Sequence, residues 1–452
     1  MKKSCKLIFT SVLLTYFAHL SLCVIAQQKK LNDKPNIIVI VSDDAGYADF
    51  GCYGGKQIST PNIDAIAKSG TLFTNAYVTA SVCAPSRAGL LTGRYPQRFG
   101  FEFNISAKPA DGYQISDIGM DPKEFTIGNE MHANGYKTIA IGKWHQGDHE
   151  RHFPLNRGFD EFYGFISGHR DFFSFKKQPN AVHSLYHNRN IIAEEKITYL
   201  TDMFTDKATS FINENKKNPF FIYLAYNAVH VPMQAKKEIV NKYAHIPDSG
   251  RRTYAAMMTS LDDGVGTIMK TIKENNMDEN TLVIFINDNG ATAANSSSNG
   301  YLRGMKGSNW EGGIRVAFLM KWTGKIAANK TYSQPVSSLD ILPTAIAAAS
   351  RKQKGTNKLD GVNLLPYLNP VNKKLPHEAL FWRSGLTAAV RAGKWKLIRV
   401  STRPTLLFDL ENDVSETKDL ANKYPEKVKE LMTKLTDWEK GIDKPHWYSP
   451  RD

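Results

Sequence analysis

Four short, unbroken apolar runs constrain this chain more than any other feature. They occupy residues 36–41 (NIIVIV), 138–141 (TIAI), 220–225 (FFIYLA) and 282–286 (LVIFI). Each is too short for a typical helix and rich in β-branched or aromatic residues. Each also lacks the polar–apolar alternation of a strand with one wet face. Such runs read as strands covered on both sides. Between and after them lie helical patterns at residues 62–69, 87–92, 201–215, 251–274 and 338–349. Strands alternating with helices predict an α/β fold: a large, mostly parallel or mixed sheet sandwiched by helices. The tail changes character. Residues 361–370 read as loop, and short strands follow at 379–382, 388–391, 395–400 and 405–409. A last helix at 424–440 carries Val428, Leu431, Leu435 and Trp438 near one face. This predicts a catalytic-size domain over 27–360 and a smaller subdomain over 361–452, an antiparallel sheet with one helix.

The first 26 residues read as a secretory leader. Lys2, Lys3 and Lys6 precede an apolar run from Leu7 to Ile25, and Val24-Ile25-Ala26 offers a small-residue cleavage site. No other run is long enough to span a bilayer. We therefore expect export to the periplasm or the medium, without stable membrane insertion and without a lipid anchor. Two of the four cysteines, Cys5 and Cys23, fall in the leader, leaving Cys52 and Cys83. A disulfide framework is excluded beyond one bridge. The net charge of +14 fits a polyanionic partner, but charge alone does not choose between nucleic acid, membrane and acidic polysaccharide.

Ligands of open α/β sheets bind beyond the carboxyl ends of the strands. Here the four strand exits read Ser42-Asp43-Asp44, Gly142-Lys143-Trp144-His145, Tyr226-Asn227-Ala228-Val229-His230 and Asn287-Asp288-Asn289-Gly290. Alone, each is a turn, a cap or a hydrogen-bonded histidine. Together they point to one site. Asp43, Asp44, Asp288 and Asn289 are hard oxygen donors, suited to Ca²⁺ or Mg²⁺ more than to zinc. Lys143, His145, His230 and Lys306 can stabilise an oxyanion and move protons. A metal beside such groups fits transfer of an anionic group, phosphoryl or sulfuryl. Cys83 is the odd member. Pro85 suits the first turn of a helix, so Cys83 sits near a helix N-terminus, where an anion is favoured. Yet a thiolate beside hard oxygen donors is chemically out of place.

Cys83-Ala84-Pro85-Ser86-Arg87 resembles the C-x-P-S-R signature of the formylglycine-dependent type I sulfatases, of the alkaline phosphatase superfamily. Gly142-Lys143-Trp144-His145 resembles that family's G-K-W-H segment. Arg303-Gly304-Met305-Lys306 with Glu311-Gly312-Gly313-Ile314-Arg315-Val316 resembles its R-G-x-K…E-G-G-x-R-V segment. The resemblance runs in order along nearly the whole chain after the leader. Ala317 departs from it, where the family often has proline. The resemblance implies an alkaline phosphatase-like fold. It implies Ca²⁺ bound by Asp43, Asp44, Asp288, Asn289 and a modified Cys83, the cysteine having become formylglycine (3-oxoalanine) through a maturation enzyme. It implies that Arg87 and Lys143 hold the hydrated aldehyde, and that His230 protonates the departing alcohol. Lys306 binds the sulfate or shares that proton transfer, and His145 takes the proton whose loss expels sulfate.

Export, basic charge and this resemblance predict a sulfated carbohydrate as substrate, with no role for nucleic acid. Algal glycans such as ulvan or carrageenan lead, and glycosaminoglycans come second. Candidate substrate-binding residues are His169 and Arg170, in the loop after 157–165. The competing readings are a phosphate or phosphonate ester hydrolase of the same superfamily and a non-catalytic binder of sulfated glycans.

Overall fold

The structure, a computed structural model, describes residues 34–175, 179–369, 372 and 374–449. The expected leader, with Cys5 and Cys23, lies outside the described residues. The chain up to residue 337 provides strands β1 (Asn36–Ser42), β2 (Thr71–Phe73), β3 (Ala76–Tyr77), β4 (Lys137–Lys143), β5 (Glu161–Phe165) and β6 (Tyr186–His187). It continues with β7 (Asn190–Ile191), β8 (Phe220–Ala225), β9 (Thr281–Asn287), β10 (Phe318–Lys321), β11 (Lys330–Tyr332) and β12 (Val336–Ser337). Ten of them build one sheet in the order β11-β2-β10-β9-β1-β8-β4-β5-β6-β7. Its centre, from β9 to β5, is parallel. The antiparallel β10 and the hairpin β6–β7 make the sheet mixed.

The unbroken apolar runs have a direct cause. In β1, Ile37, Val39 and Val41 enter one core while Ile38 and Ile40 enter the other. β8 and β9 divide in the same way, Phe221 and Ile284 on one side, Ile222 and Phe285 on the other. Helices α1 (Pro61–Ser69), α4 (Leu200–Glu214) and α6 (Ser249–Glu274) cover the second face. On α6 the buried residues Tyr254, Met258, Leu261, Val265, Ile268 and Ile272 recur every three or four positions, one stripe of a helix. The first face takes α2 (Cys83–Thr92), α3 (Ile127–Ala133) and α8 (Ile341–Ala348). Helix α5 (Lys237–Lys242) and the four-residue α7 (Glu311–Ile314) lie in connections.

The tail forms an antiparallel meander of β13 (Leu380–Ser384), β14 (Thr387–Ala392), β15 (Trp395–Val400) and β16 (Leu406–Asp409), closed by α9 (Pro425–Glu439). Its core of Val390, Leu397, Leu407, Leu431 and Leu435 also takes in Tyr95 and Leu339 from the larger part. After α9, Trp447 returns to the larger part, its ring edge on Phe101 at 4.7 Å. No helix among the described residues is long and apolar enough to cross a membrane.

Candidate active site

Register brings the four strand exits to one edge. Val41 pairs with both Ala225 and Ile286, and Gly142 pairs with Ala225. The residues just past these pairs therefore emerge side by side. Asp44 and His145 both leave the sheet with positive φ, 59° and 56°. That region costs most side chains energy and collects at functional sites. The fifth contribution comes from α2, whose residues are all buried and whose first turn presents Cys83.

Cys83 Sγ lies 3.5 Å from Asp43 Oδ1 and 3.9 Å from Asp44 Oδ1. Lys143 Nζ donates to Asp43 Oδ2 at 2.6 Å, with both side chains fully buried. Arg87 pairs with Asp288 Oδ2 at 2.8 Å and reaches Asp43 at 3.4 Å. Lys306 Nζ contacts Asp44 at 2.7 Å and Cys83 Sγ at 3.1 Å. His230 Nε2 faces Asp44 Oδ2 at 3.4 Å, and its Nδ1 pairs with the Val231 carbonyl at 2.7 Å. Asn289 donates from Nδ2 to Asp44 Oδ1 at 2.7 Å. Lys306 reaches the cluster from a loop stitched to its surroundings. Its own N–H bonds Ala291 O, and the Gly307 N–H bonds Ser81 O, both at 2.8 Å. Gly304 and Gly307 turn that loop with φ of 82° and 85°, where glycine alone sits without strain.

Burial and charge set the protonation states. Burial pushes the Asp43 carboxyl up, but Lys143, His230 and Arg87 outweigh it and hold it below its ordinary value. Burial works against the Lys306 charge, and the carboxylates of Asp44, Asp43 and Asp288 around it keep it protonated. Burial drives His145 well below its ordinary value, and Lys143, Arg87 and Lys306 add to that. His230 is also lowered, by burial first, with Asp43 opposing. The Cys83 thiol is pushed up by burial despite its two lysine neighbours. A thiol held protonated is a poor nucleophile and a poor ligand.

The donor set suits a hard divalent cation. Carboxylates of Asp43 and Asp44, with Cys83 and His230, offer ligand atoms within 4.8 Å of one another. Asp288 approaches the same place, its Oδ1 accepting the Asp44 N–H at 3.2 Å. The buried Asn289 Oδ1 has no hydrogen-bond partner, as expected of an oxygen kept for a cation.

The structure thus gathers Asp43, Asp44, Cys83, Arg87, Lys143, His230, Asp288, Asn289 and Lys306 through direct contacts. His145 borders them, feeling the charges of Lys143, Arg87 and Lys306. The two substrate-binding candidates part company. His169 is exposed at the rim, its ring 5.2 Å from that of His183. Arg170 is buried, pairs with Glu194 at 3.1 Å and lies over the Phe175 ring at 4.9 Å. Its guanidinium braces the loop through Glu194, 24 residues on, a pairing that no local sequence pattern marks, while Nη1 has no hydrogen-bond partner. Sequence reasoning also missed Gln146 and Asn104. Gln146 Nε2 donates to Ala84 O at 3.1 Å, and Asn104 Oδ1 accepts the Ala84 N–H at 3.0 Å. Gln146 follows the Lys143–His145 segment directly, which was the available signal. Asn104 had none.

Comparison with known proteins agrees with this geometry. Residues 35–350 match the family described as Sulfatase. Arylsulfatase J of Mus musculus is 30% identical, over 93% of this chain and 78% of the mouse protein. N-acetylgalactosamine-6-sulfatase of Homo sapiens is 32% identical, over 78% of this chain and 69% of the human protein. The crystal structure of Ps i-CgsB superposes with a TM-score of 0.86 at 38% identity, covering 92% of this chain and 95% of that one. The same protein is also known in complex with k-i-k-neocarrahexaose. The phosphonate monoester hydrolase of Agrobacterium radiobacter shares the fold, with a TM-score of 0.64 at 18% identity. The chain belongs to the sulfatase family: it is a sulfuric ester hydrolase, a type I sulfatase of the alkaline phosphatase superfamily.

Proposed function

We propose that this sulfatase hydrolyses sulfate esters of an exported-polysaccharide substrate, a sulfated galactan of the carrageenan class or oligosaccharides from it. The observation that carries this is the convergence of Lys143, Lys306 and Arg87 on the Cys83–Asp43–Asp44 cluster, beside two neutral histidines. The likeness to Ps i-CgsB, which is known with a neocarrahexaose bound, supports the substrate class. A glycosaminoglycan is the second reading, favoured by the likeness to N-acetylgalactosamine-6-sulfatase. The leader-like N-terminus supports export to the periplasm or medium, and the basic charge supports a polyanionic substrate.

In this reading a separate maturation enzyme converts Cys83 to formylglycine, and Asp43, Asp44, Asp288 and Asn289 hold Ca²⁺ with it. Together these groups supply a nucleophilic oxygen and a Lewis acid that stabilises charge on the sulfate. The side chains do the rest. Lys143 and Lys306 oppose the burial that holds a proton at position 83, and Lys143 with Arg87 would hold the hydrated aldehyde there. Lys306, charged and 3.1 Å from Sγ, meets a sulfate oxygen. His145, held neutral, accepts a proton. His230 donates one to the leaving alcohol. Its lowered pKa means that the proton is secured only when the sulfate charge arrives.

The test pairs mass spectrometry of the Cys83 peptide with sulfate release from a panel of oligosaccharides. Release from carrageenan fragments by protein carrying the aldehyde is the expected result. Release from glycosaminoglycan fragments alone would transfer the assignment to the second reading. Aldehyde without release from any sulfate ester would overturn it in favour of phosphate or phosphonate esters.

A further inference from the structure

A cavity of about 380 Å³ opens beside the site, lined by Ile105, Ala107, Ile115, Ile118, Asp148 and His149. Its size falls within the roughly 300–1,000 Å³ of small-molecule sites. Both its walls continue from residues that touch the Cys83 turn. Ile105 follows Asn104, which accepts the Ala84 N–H, and Asp148 lies two residues after Gln146, which donates to Ala84 O. Asp148 feels the charge of His183, whose ring meets that of His169 at 5.2 Å. His169 in turn senses His230 and Lys143.

The chemistry of this cavity is opposite to that of the neighbouring centre. Around Cys83 the groups that face a ligand are cationic. Here the floor is branched aliphatic, with Ile115 70% exposed, and the charged group is a carboxylate. Asp148 is an exposed residue at the mouth of the cavity, and partial burial of its carboxyl raises its pKa. Among the described residues no side chain or backbone group hydrogen-bonds its carboxylate. An apolar wall facing a carboxylate matches a sugar ring, whose C–H face packs on the isoleucines while two hydroxyls donate to the acid. A sulfate or uronate on that ring would meet Asp148 as a like charge.

We propose that this cavity is a subsite for an uncharged sugar unit next to the one bearing the scissile sulfate, with Asp148 excluding a charged neighbour. The proposal rests on the carbohydrate sulfatase reading. It predicts that a tetrasaccharide with an unsulfated neighbouring unit is preferred to one differing only by a sulfate there.

The experiment uses that pair of sulfated galactan tetrasaccharides together with 4-nitrophenyl sulfate. In the native enzyme, kcat/KM for the unsulfated-neighbour compound should exceed that of its partner by about tenfold or more. Asp148→Asn, which keeps hydrogen bonding and removes the charge, should narrow that preference at least about fivefold. Ile115→Ser should lower the tetrasaccharide-to-aryl-sulfate ratio for both. The same pair titrated calorimetrically against Cys83→Ala protein reads the subsite without turnover. A preference in binding with no turnover of any sulfate ester would sink the sulfatase substrate reading and leave the subsite standing. Equal affinities and equal kcat/KM for the pair, or a preference unmoved in Asp148→Asn, would overturn the subsite.

Discussion

At His145, burial and charge act in the same direction. Both disfavour the imidazolium, so its pKa lies well below the ordinary 6.5. A base must be unprotonated, so lowering its pKa extends its working range downward. The acid limb of kcat/KM, which reports the free enzyme, should therefore have its midpoint below pH 6.5. A midpoint above 6.5 in the pH profile would remove His145 from that role. Lys306 behaves differently. Its charge contacts Asp44 and Cys83, where a sulfate oxygen would gather charge. Lys306→Ala should lower kcat about a hundredfold or more, by the scale of lost oxyanion donors. A loss confined to KM in steady-state kinetics would make it a binding group only.

Among elements, the short α7 shows how a loop is kept in register. The Glu311 N–H at its start donates to Glu416 Oε2 at 2.7 Å. The fully buried Lys396 Nζ of β15 bridges Glu311 at 2.9 Å and Glu416 at 2.8 Å. Arg303 donates to the Glu416 carbonyl at 2.6 Å, and Lys306 lies three residues on. Removing one member leaves unpaired buried charge. Lys396→Met should cost about 3–5 kcal/mol in chemical denaturation, and a loss under about 1 kcal/mol would show that the triad adds nothing to stability. The sequence carried α2, β1, β4, β8 and β9 plainly, because their burial on two faces leaves unbroken apolar runs. It also marked the acidic and cationic residues that gather around Cys83, because strand exits and the C-x-P-S-R run single them out. It did not carry β10, α3, the Glu311–Lys396–Glu416 triad or the inward turn of Arg170. The triad and Arg170 depend on partners 20 to more than 100 residues away, and β10 on its pairing with β9, which no local pattern records.

For the whole molecule, the small sheet is tied to the large one by charge as well as by its core. His377 Nε2 lies 2.8 Å from Asp340 Oδ1, at the start of α8. Burial works against the His377 charge, but Asp340 outweighs it and raises the pKa above 6.5. Its stabilisation is then complete below pH 6.5 and is lost as pH rises through the raised folded value. His377→Gln should cost about 1–3 kcal/mol at pH 6 and less at pH 9. Equal losses at both pH values in urea titrations would contradict this. The proposed Ca²⁺ would act at the same scale. Ca²⁺ at a hundredfold its Kd should add about 2.7 kcal/mol through Asp43, Asp44, Asp288 and Asn289. A melting temperature indifferent to EGTA would count against the site.

The way α2 is enclosed also sets a clock. Trp382 Nε1 reaches back to the Val78 carbonyl at 2.6 Å, and Trp447 Nε1 to the Asn104 carbonyl at 2.9 Å. The walls beside Cys83 are thus closed by residues made some 300 positions later. At roughly 5–20 residues per second, that interval lasts about 15–60 s. Under the proposed conversion of Cys83 by another enzyme, chain order itself provides an interval before these two tethers close.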